Sequence, residues 1–259
     1  AYTRGPGLLG SLLVGSSFAK SLSMSLEIPL IEVNHMQAHL LCHFIENNGE
    51  KKTKFPFIGV NISGGHTQIV LCHNYFEMEL IGETLDDSIG EAFDKCGKII
   101  GFEYPAGPQI DKKSKEGDSK RFAFSLPKVD GLNFSFSGLK TNFRRTVEDG
   151  LNKNKNFIKI ESNNLCASLQ STIIKILSQK VSKAVNITGV NNIVFGGGVS
   201  ANSGIRDYFN NSKEKLNVFF SQNQYTTDNA AMIAMVGYLK FKEKKFSALD
   251  LNSRARYKI

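Results

Sequence analysis

Phe57-Ile-Gly-Val-Asn-Ile-Ser-Gly-Gly-His-Thr-Gln-Ile-Val-Leu71 is the stretch on which the fold turns. Residues 57–62 and 67–71 are apolar and rich in β-branched side chains, so they read as strands. Ser63-Gly64-Gly65-His66 joins them as a tight glycine turn. A third strand follows at Phe76 to Ile81, which makes a meander. Farther on, Asn192-Ile-Val-Phe195 is a buried strand that runs into Gly196-Gly-Gly-Val-Ser-Ala-Asn202 and a helix, and Val218-Phe-Phe220 is the next strand. Strands that alternate with helices in this way predict an α/β fold.

The helical segments fill the intervals. Leu8 to about Leu26 predicts a packed helix behind a glycine-rich turn, and Leu30 to Val33 a short strand. His35 to about Glu46 predicts a second helix, followed by a polar linker, Asn47 to Lys54. Ser88 to Ile100 is helical and ends at Gly101; Tyr104-Pro-Ala-Gly-Pro108 is a turn, and Lys112 to Lys128 is basic and irregular. Phe134-Ser-Phe-Ser137 reads as a packed strand. Leu165, Leu169, Ile173, Ile176 and Leu177 recur at helical spacing, and Asp228 is expected to cap a last helix through about Phe241.

The chain has 259 residues, 41% hydrophobic and 22% charged, which suffices for two lobes with a cleft between them. Its net charge of +8 fits a phosphate-rich partner such as RNA as well as a solvated basic surface. Cys42, Cys72, Cys96 and Cys166 are widely spaced, which points to reduced thiols and a cytoplasmic protein. No segment is long and apolar enough to span a membrane.

Asn34-His-Met-Gln-Ala-His39 places His35 and His39 one helical turn apart, with Cβ atoms about 5–6 Å from each other. Two imidazoles at that spacing can grip one ion, and Asp228 in Thr227-Asp-Asn229 offers a third ligand. The same spacing also describes an ordinary helix face. His43 lies eight residues from His35, about 12 Å along the axis, and reads as packing or surface. Each glycine loop follows an apolar strand, where the missing Cβ lets backbone amides approach phosphate oxygens. Neither is a Walker loop or a dinucleotide fingerprint. Two such loops, with Asp94 and Asp111 between them, point to a nucleotide held between lobes.

Eight motifs occur in order. They are Ala1-Tyr-Thr-Arg-Gly-Pro-Gly-Leu8, His35-Met-Gln-Ala-His39, Ser63-Gly-Gly-His-Thr-Gln68 and Gly90-Glu-Ala-Phe-Asp-Lys95, then Tyr104-Pro-Ala-Gly-Pro108, Phe134-Ser-Phe-Ser-Gly-Leu-Lys-Thr141, Gly197-Gly-Val-Ser-Ala-Asn202 and Thr227-Asp-Asn229. In these the chain closely resembles the bacterial TsaD family, tRNA N6-adenosine threonylcarbamoyltransferases. The resemblance implies the two-lobed actin-like/Hsp70-like ATPase (ASKHA) fold, with 1–54 the remainder of the first lobe and 55–259 the second. It implies transfer of a threonylcarbamoyl group from threonylcarbamoyl-AMP to N6 of the adenosine just 3′ of the anticodon, in tRNAs reading codons that begin with A. Metal ligands are implied at His35, His39 and Asp228, and adenylate contacts at Asn61, Ile62, Ser63, Gly64, Gly65, Asp94, Gly107, Asp111 and Asn202. Fe2+ is the metal the family suggests, although two imidazoles and a carboxylate also suit zinc or manganese. Implied partners are tRNA, a TsaB-like protein and a TsaE-like ATPase.

Two departures from the family pattern stand out. The family normally begins with a further strand hairpin and helices, so the chain is expected to be truncated and its first lobe incomplete. Gln37 stands where the family usually has Glu. No Ser-His-Asp or Cys-His grouping is evident, so positioning and electrostatics are expected to dominate catalysis. A metalloendopeptidase is the weaker alternative: zincins use His-Glu-x-x-His, whereas Met36 occupies the position of the general base. A non-catalytic actin-like scaffold is a third.

Overall fold

The computed structural model describes residues 1–45, 53–212 and 216–259. Strand β1 (Tyr2–Gly5), helix α1 (Leu9–Ser25) and strand β2 (Glu32–Asn34) form a parallel β-α-β unit. β2 runs straight into α2 (His35–Leu41), because Asn34 caps it: its Oδ1 accepts from Met36 N at 2.9 Å and Gln37 N at 3.1 Å. The helix is shorter than expected. After Leu41 it tightens into a 3-10 turn over Cys42–Phe44, and Glu46 and the linker through residue 52 fall outside the described residues.

β3 (Phe57–Ile62), β4 (Thr67–Cys72) and β5 (Met78–Glu83) are the expected meander, joined in antiparallel register. Helices α3 (Ile89–Ile99), α4 (Gly107–Ser114), α5 (Ser137–Lys153) and α6 (Phe157–Thr188) follow. The chain then returns as β6 (Asn192–Gly196), parallel to the free edge of β3. After α7 (Ser203–Asn210) it adds β7 (Asn217–Phe220), parallel to β6. The short α8 (Asn223–Thr226) and α9 (Ala230–Lys242) complete the order. The sheet reads β5-β4-β3-β6-β7.

Strand alternation divides the core in two. Ile58, Val60, Ile62, Ile69, Ile193 and Phe195 face α3, α5 and α6, while Phe57, Val70, Cys72 and Val194 face α2 and α9. Burial on both faces explains why β3 and β6 are nearly continuous apolar runs. Gly59 lets α2 lie directly on the sheet, since a Cβ there would stand 2.5 Å from Leu40 Cδ1. The C-terminal segment closes over β1 and β2: Arg254 N donates to Arg4 O at 2.8 Å, and Arg4 pairs with Glu32 at 2.9 Å.

Three local expectations change. Phe134-Ser-Phe-Ser137 is no strand. Phe134 makes one isolated bridge to Thr84, and Ser137 opens α5, whose apolar stripe is only Leu139, Phe143 and Val147. So narrow a stripe gives little helical signal in the sequence. The Tyr104–Pro108 turn flows into α4, with its proline at the tolerated first turn. Finally, α1 buries only Leu12, Ser16 and Ser23, leaving Val14 and Phe18 uncovered among the described residues.

All four thiols are buried and free of disulfides. Burial pushes Cys42 up to about 11 and Cys96 and Cys166 up to about 12, and raises Cys72 still further. The thiolate is the reactive species, so iodoacetamide at pH 8 should leave the folded protein unmodified and label it only after denaturation. Mass spectrometry that finds a rapidly alkylated native cysteine would contradict this.

Candidate active site

The first turn of α2 brings the two imidazoles together, Nε2 to Nε2 at 3.2 Å, with the rings edge to face. Asp228 arrives from the loop between α8 and α9 and puts Oδ1 3.1 Å from both Nε2 atoms. Hydrogen bonds from His35 and then His39 hold its carboxyl well below the usual carboxylate range. Asp228 is not the helix cap: Asn229 is, with Oδ1 accepting from Met232 N at 2.9 Å. Asp228 is thereby released to face the histidines, and its side chain is 78% exposed.

The three donor atoms lie within 4.8 Å of one another. Ligands each about 2.0–2.1 Å from one ion stand about 3–3.4 Å apart, and all three observed separations fall in that range. Two imidazoles and a carboxylate therefore fit a divalent cation in both geometry and chemistry. His39 Nδ1 is buried without a hydrogen-bond partner. His43 takes no part; it packs edge-on to Phe219, with Nε2 accepting from Thr53 N at 3.3 Å.

Beside the trio lies a cleft of about 380 Å³. Gly64, Asp94, Gly107, Asp111 and Asn202 line it together, and Thr227 connects it to the neighbouring Asp228. A second hollow, of about 900 Å³, borders His35 and Asp228 on the side of α1. The Ser63–His66 turn is closed by Ser63 N donating to His66 O at 2.9 Å, and neither Gly64 nor Gly65 has a heavy atom within 4 Å of where a Cβ would be. Their backbone is open to a ligand. Gly90, the first residue of the Gly90–Lys95 motif but without an implied role there, lets α3 start directly beneath this turn: a Cβ would stand 2.6 Å from Ser63 O. Other lining residues, Phe93, Val199 and Thr227 among them, were not foreseen as contacts either.

The polar residues of the cleft have structural partners. Asp94 Oδ1 accepts from Ala106 N at 2.7 Å and holds the Tyr104–Pro108 turn against α3. Asp111 accepts from Ser203 N at 2.9 Å, Ser203 Oγ at 3.0 Å and Gly204 N at 3.3 Å. Asn202 caps α7 through Ile205 N at 2.9 Å and donates to Gln170 Oε1 at 2.8 Å. The backbone amides at the start of α7 are thus already taken, by an aspartate. Asp111→Ala should cost about 1–3 kcal/mol, since a charged acceptor of several hydrogen bonds is lost. Denaturant titration checks it, and an unchanged midpoint would count against the clamp.

The remaining implied contacts lie elsewhere. Ile62 is fully buried in the core. Asn61 is 1% exposed and donates from Nδ2 to Met36 O at 2.9 Å, tying β3 to the metal helix. Ser63 and Gly65 sit in the turn rather than in the cleft wall. Gln37 donates from Nε2 to Tyr75 O at 2.8 Å, and Met36 is buried, so neither provides the general base a zincin requires.

A family model described as TsaD, tRNA N6-adenosine threonylcarbamoyltransferase, matches residues 1–235. Curated relatives bearing that description include one from Christiangramia forsetii, 55% identical over all of this chain and 77% of that protein. Another, from Riemerella anatipestifer, is 53% identical over all of this chain and 76% of that protein. Among solved structures, HypF of T. kodakarensis superposes with a TM-score of 0.66 at 13% identity, covering 93% of this chain and 40% of its own. Full-length HypF in a phosphate- and nucleotide-bound form gives 0.62 at 15%, covering 88% of this chain and 46% of its own. The structural likeness extends to the fold, an α/β architecture of the actin-like ATPase type. Sequence identity of this extent and coverage carries the assignment further: the chain belongs to the TsaD family.

Proposed function

We propose that this chain transfers a threonylcarbamoyl group from threonylcarbamoyl-AMP to N6 of the adenosine just 3′ of the anticodon, in tRNAs reading codons that begin with A. The observation that carries the reading is the continuity of the His35–His39–Asp228 trio with the glycine-walled cleft through Thr227. In the reaction N6 attacks the carbamoyl carbonyl, the bond from that carbon to the phosphate oxygen breaks, N6 loses a proton and AMP departs.

The adenylate occupies the cleft, with the exposed backbone of Gly64 against its phosphate, where its amide stabilises the charge that builds on the leaving group. Asp94 and Asp111 act on the walls of the cleft by fixing the Tyr104–Pro108 turn and the start of α7, while Gly107 and Asn202 contribute to its surface. His35, His39 and Asp228 would hold a divalent ion, Fe2+ by the resemblance, which would supply Lewis-acid polarisation and charge neutralisation. Residues 1–54 and 55–259 make up the two lobes. TsaB-like and TsaE-like proteins are the helpers, and the cytoplasm is the compartment. No helix among the described residues is long and apolar enough to cross a membrane.

The test is reconstitution with tRNA, threonine, bicarbonate, ATP and the helper proteins, followed by mass spectrometry of the digested tRNA for the threonylcarbamoyl mass on adenosine. Cleavage of casein in place of tRNA modification would favour the peptidase.

A further inference from the structure

Tyr104 stands at the rim of the cleft with 84% of its surface exposed, and its hydroxyl has no hydrogen-bond partner among the described residues. Exposure alone would describe an ordinary surface side chain, but the backbone beneath it is held from both sides. Ala106 N donates to Asp94 Oδ1 at 2.7 Å, and Gln109 Nε2 donates to Glu103 O at 2.9 Å. Beneath the turn, Gly97 leaves room for Ala106, whose Cβ would lie 2.3 Å from any Cβ at that position. The aromatic ring is therefore carried on a fixed turn at the mouth of a binding cleft. Pro105 and Pro108 add exposed apolar surface beside it, and the buried Phe93 lines the cleft with them. A flat apolar ring laid on such a platform buries area on both partners and orders few rotors, since tyrosine has only two side-chain torsions.

We infer that Tyr104 is a stacking platform for a purine ring at the cleft mouth. The inference rests on the function proposed above, which brings two such rings to this place: the adenine of the adenylate and the target adenosine of the tRNA. The test uses the full chain with its helper proteins, and compares Tyr104→Ala, Tyr104→Leu and Tyr104→Phe in two measurements. Calorimetric titration with AMP reads the donor ring, and KM against kcat for tRNA reads the target ring.

Loss of base stacking weakens binding by about 5- to 150-fold, so Tyr104→Ala and Tyr104→Leu should both show a loss of that order and Tyr104→Phe should stay near wild type. A loss in AMP affinity assigns the platform to the donor. A raised KM for tRNA, with AMP affinity and kcat held, assigns it to the target nucleoside. If both quantities are unchanged in Tyr104→Ala, or if Tyr104→Phe falls as far as Tyr104→Ala, the platform is refuted and the function stands. A wild-type chain that neither binds AMP nor modifies tRNA refutes the function, and the platform with it.

Discussion

Asp228→Ala should reduce bound divalent metal from about one per chain to a trace and should lower tRNA modification by at least about 100-fold. That loss exceeds the 10- to 100-fold typical of losing a residue that merely orients a ligand. Asp228 is the only anionic member of the trio and the only one delivered from outside α2. Without it, two imidazoles face each other at 3.2 Å with no carboxylate to balance a dication. Because the side chain is largely exposed, its removal leaves no cavity, so the melting temperature of the metal-free protein should fall only by what its hydrogen bonds to His35 and His39 contribute. His39→Ala should lose metal equally but should also destabilise the fold, since His39 is 2% exposed. Metal analysis of both variants, before and after chelation and reloading, gives the readout. Full metal content and normal modification in Asp228→Ala would remove the basis for the trio as a metal centre.

Gly197→Ala should lower the melting temperature by about 4–20 °C. Gly197 has φ +87°, a region costly for residues with a side chain, and a Cβ there would lie 2.5 Å from Ile62 O and 2.9 Å from Ile62 C. Both are backbone atoms of a central strand, so no side chain can rotate out of the way. Conformational strain and overpacking together come to about 2–5 kcal/mol, a large part of the 5–15 kcal/mol by which a domain is ordinarily stable. At about 2–4 °C per kcal/mol this yields the stated shift. AMP binding should weaken as well, because this loop walls the cleft. Gly198→Ala is the control: its nearest contact is Thr227 Cγ2 at 3.7 Å and its φ is not left-handed. Equal thermal stability of the two variants would show that the loop is looser than its packing implies.

Sequence reasoning recovered best what is built from near neighbours. The β3–β4 hairpin, the helix after Ser88 and the β6 strand were each legible, because burial on both faces or a capping serine leaves a pattern within a dozen residues. α5 was not, since its single apolar stripe leaves most of its surface polar. The β1–β2 pairing was hidden as well, because it joins strands across the whole of α1. Within the site, Asp111 and Asn202 were recognisable as members, but not as the clamps on α7 and Gln170 that they prove to be. Hydrogen bonds between side chains 32 to 92 positions apart leave no local trace.

The pairing of His35 with His39 is a property of the chain alone, because any α-helix through them places both on one face. The openness of Gly64 and Gly65 is not: other glycines of the chain, Gly59 and Gly97 among them, are tightly packed, so the surroundings decide it. Where Asp228 ends up is different in kind. It reaches His39 across 189 positions, and only the laying of β6 and then β7 against the edge of β3 brings the loop before α9 over α2. The sheet order fixes that meeting, and with it the joining of metal trio and cleft, because rigid strands transmit position over distances that local preference cannot reach.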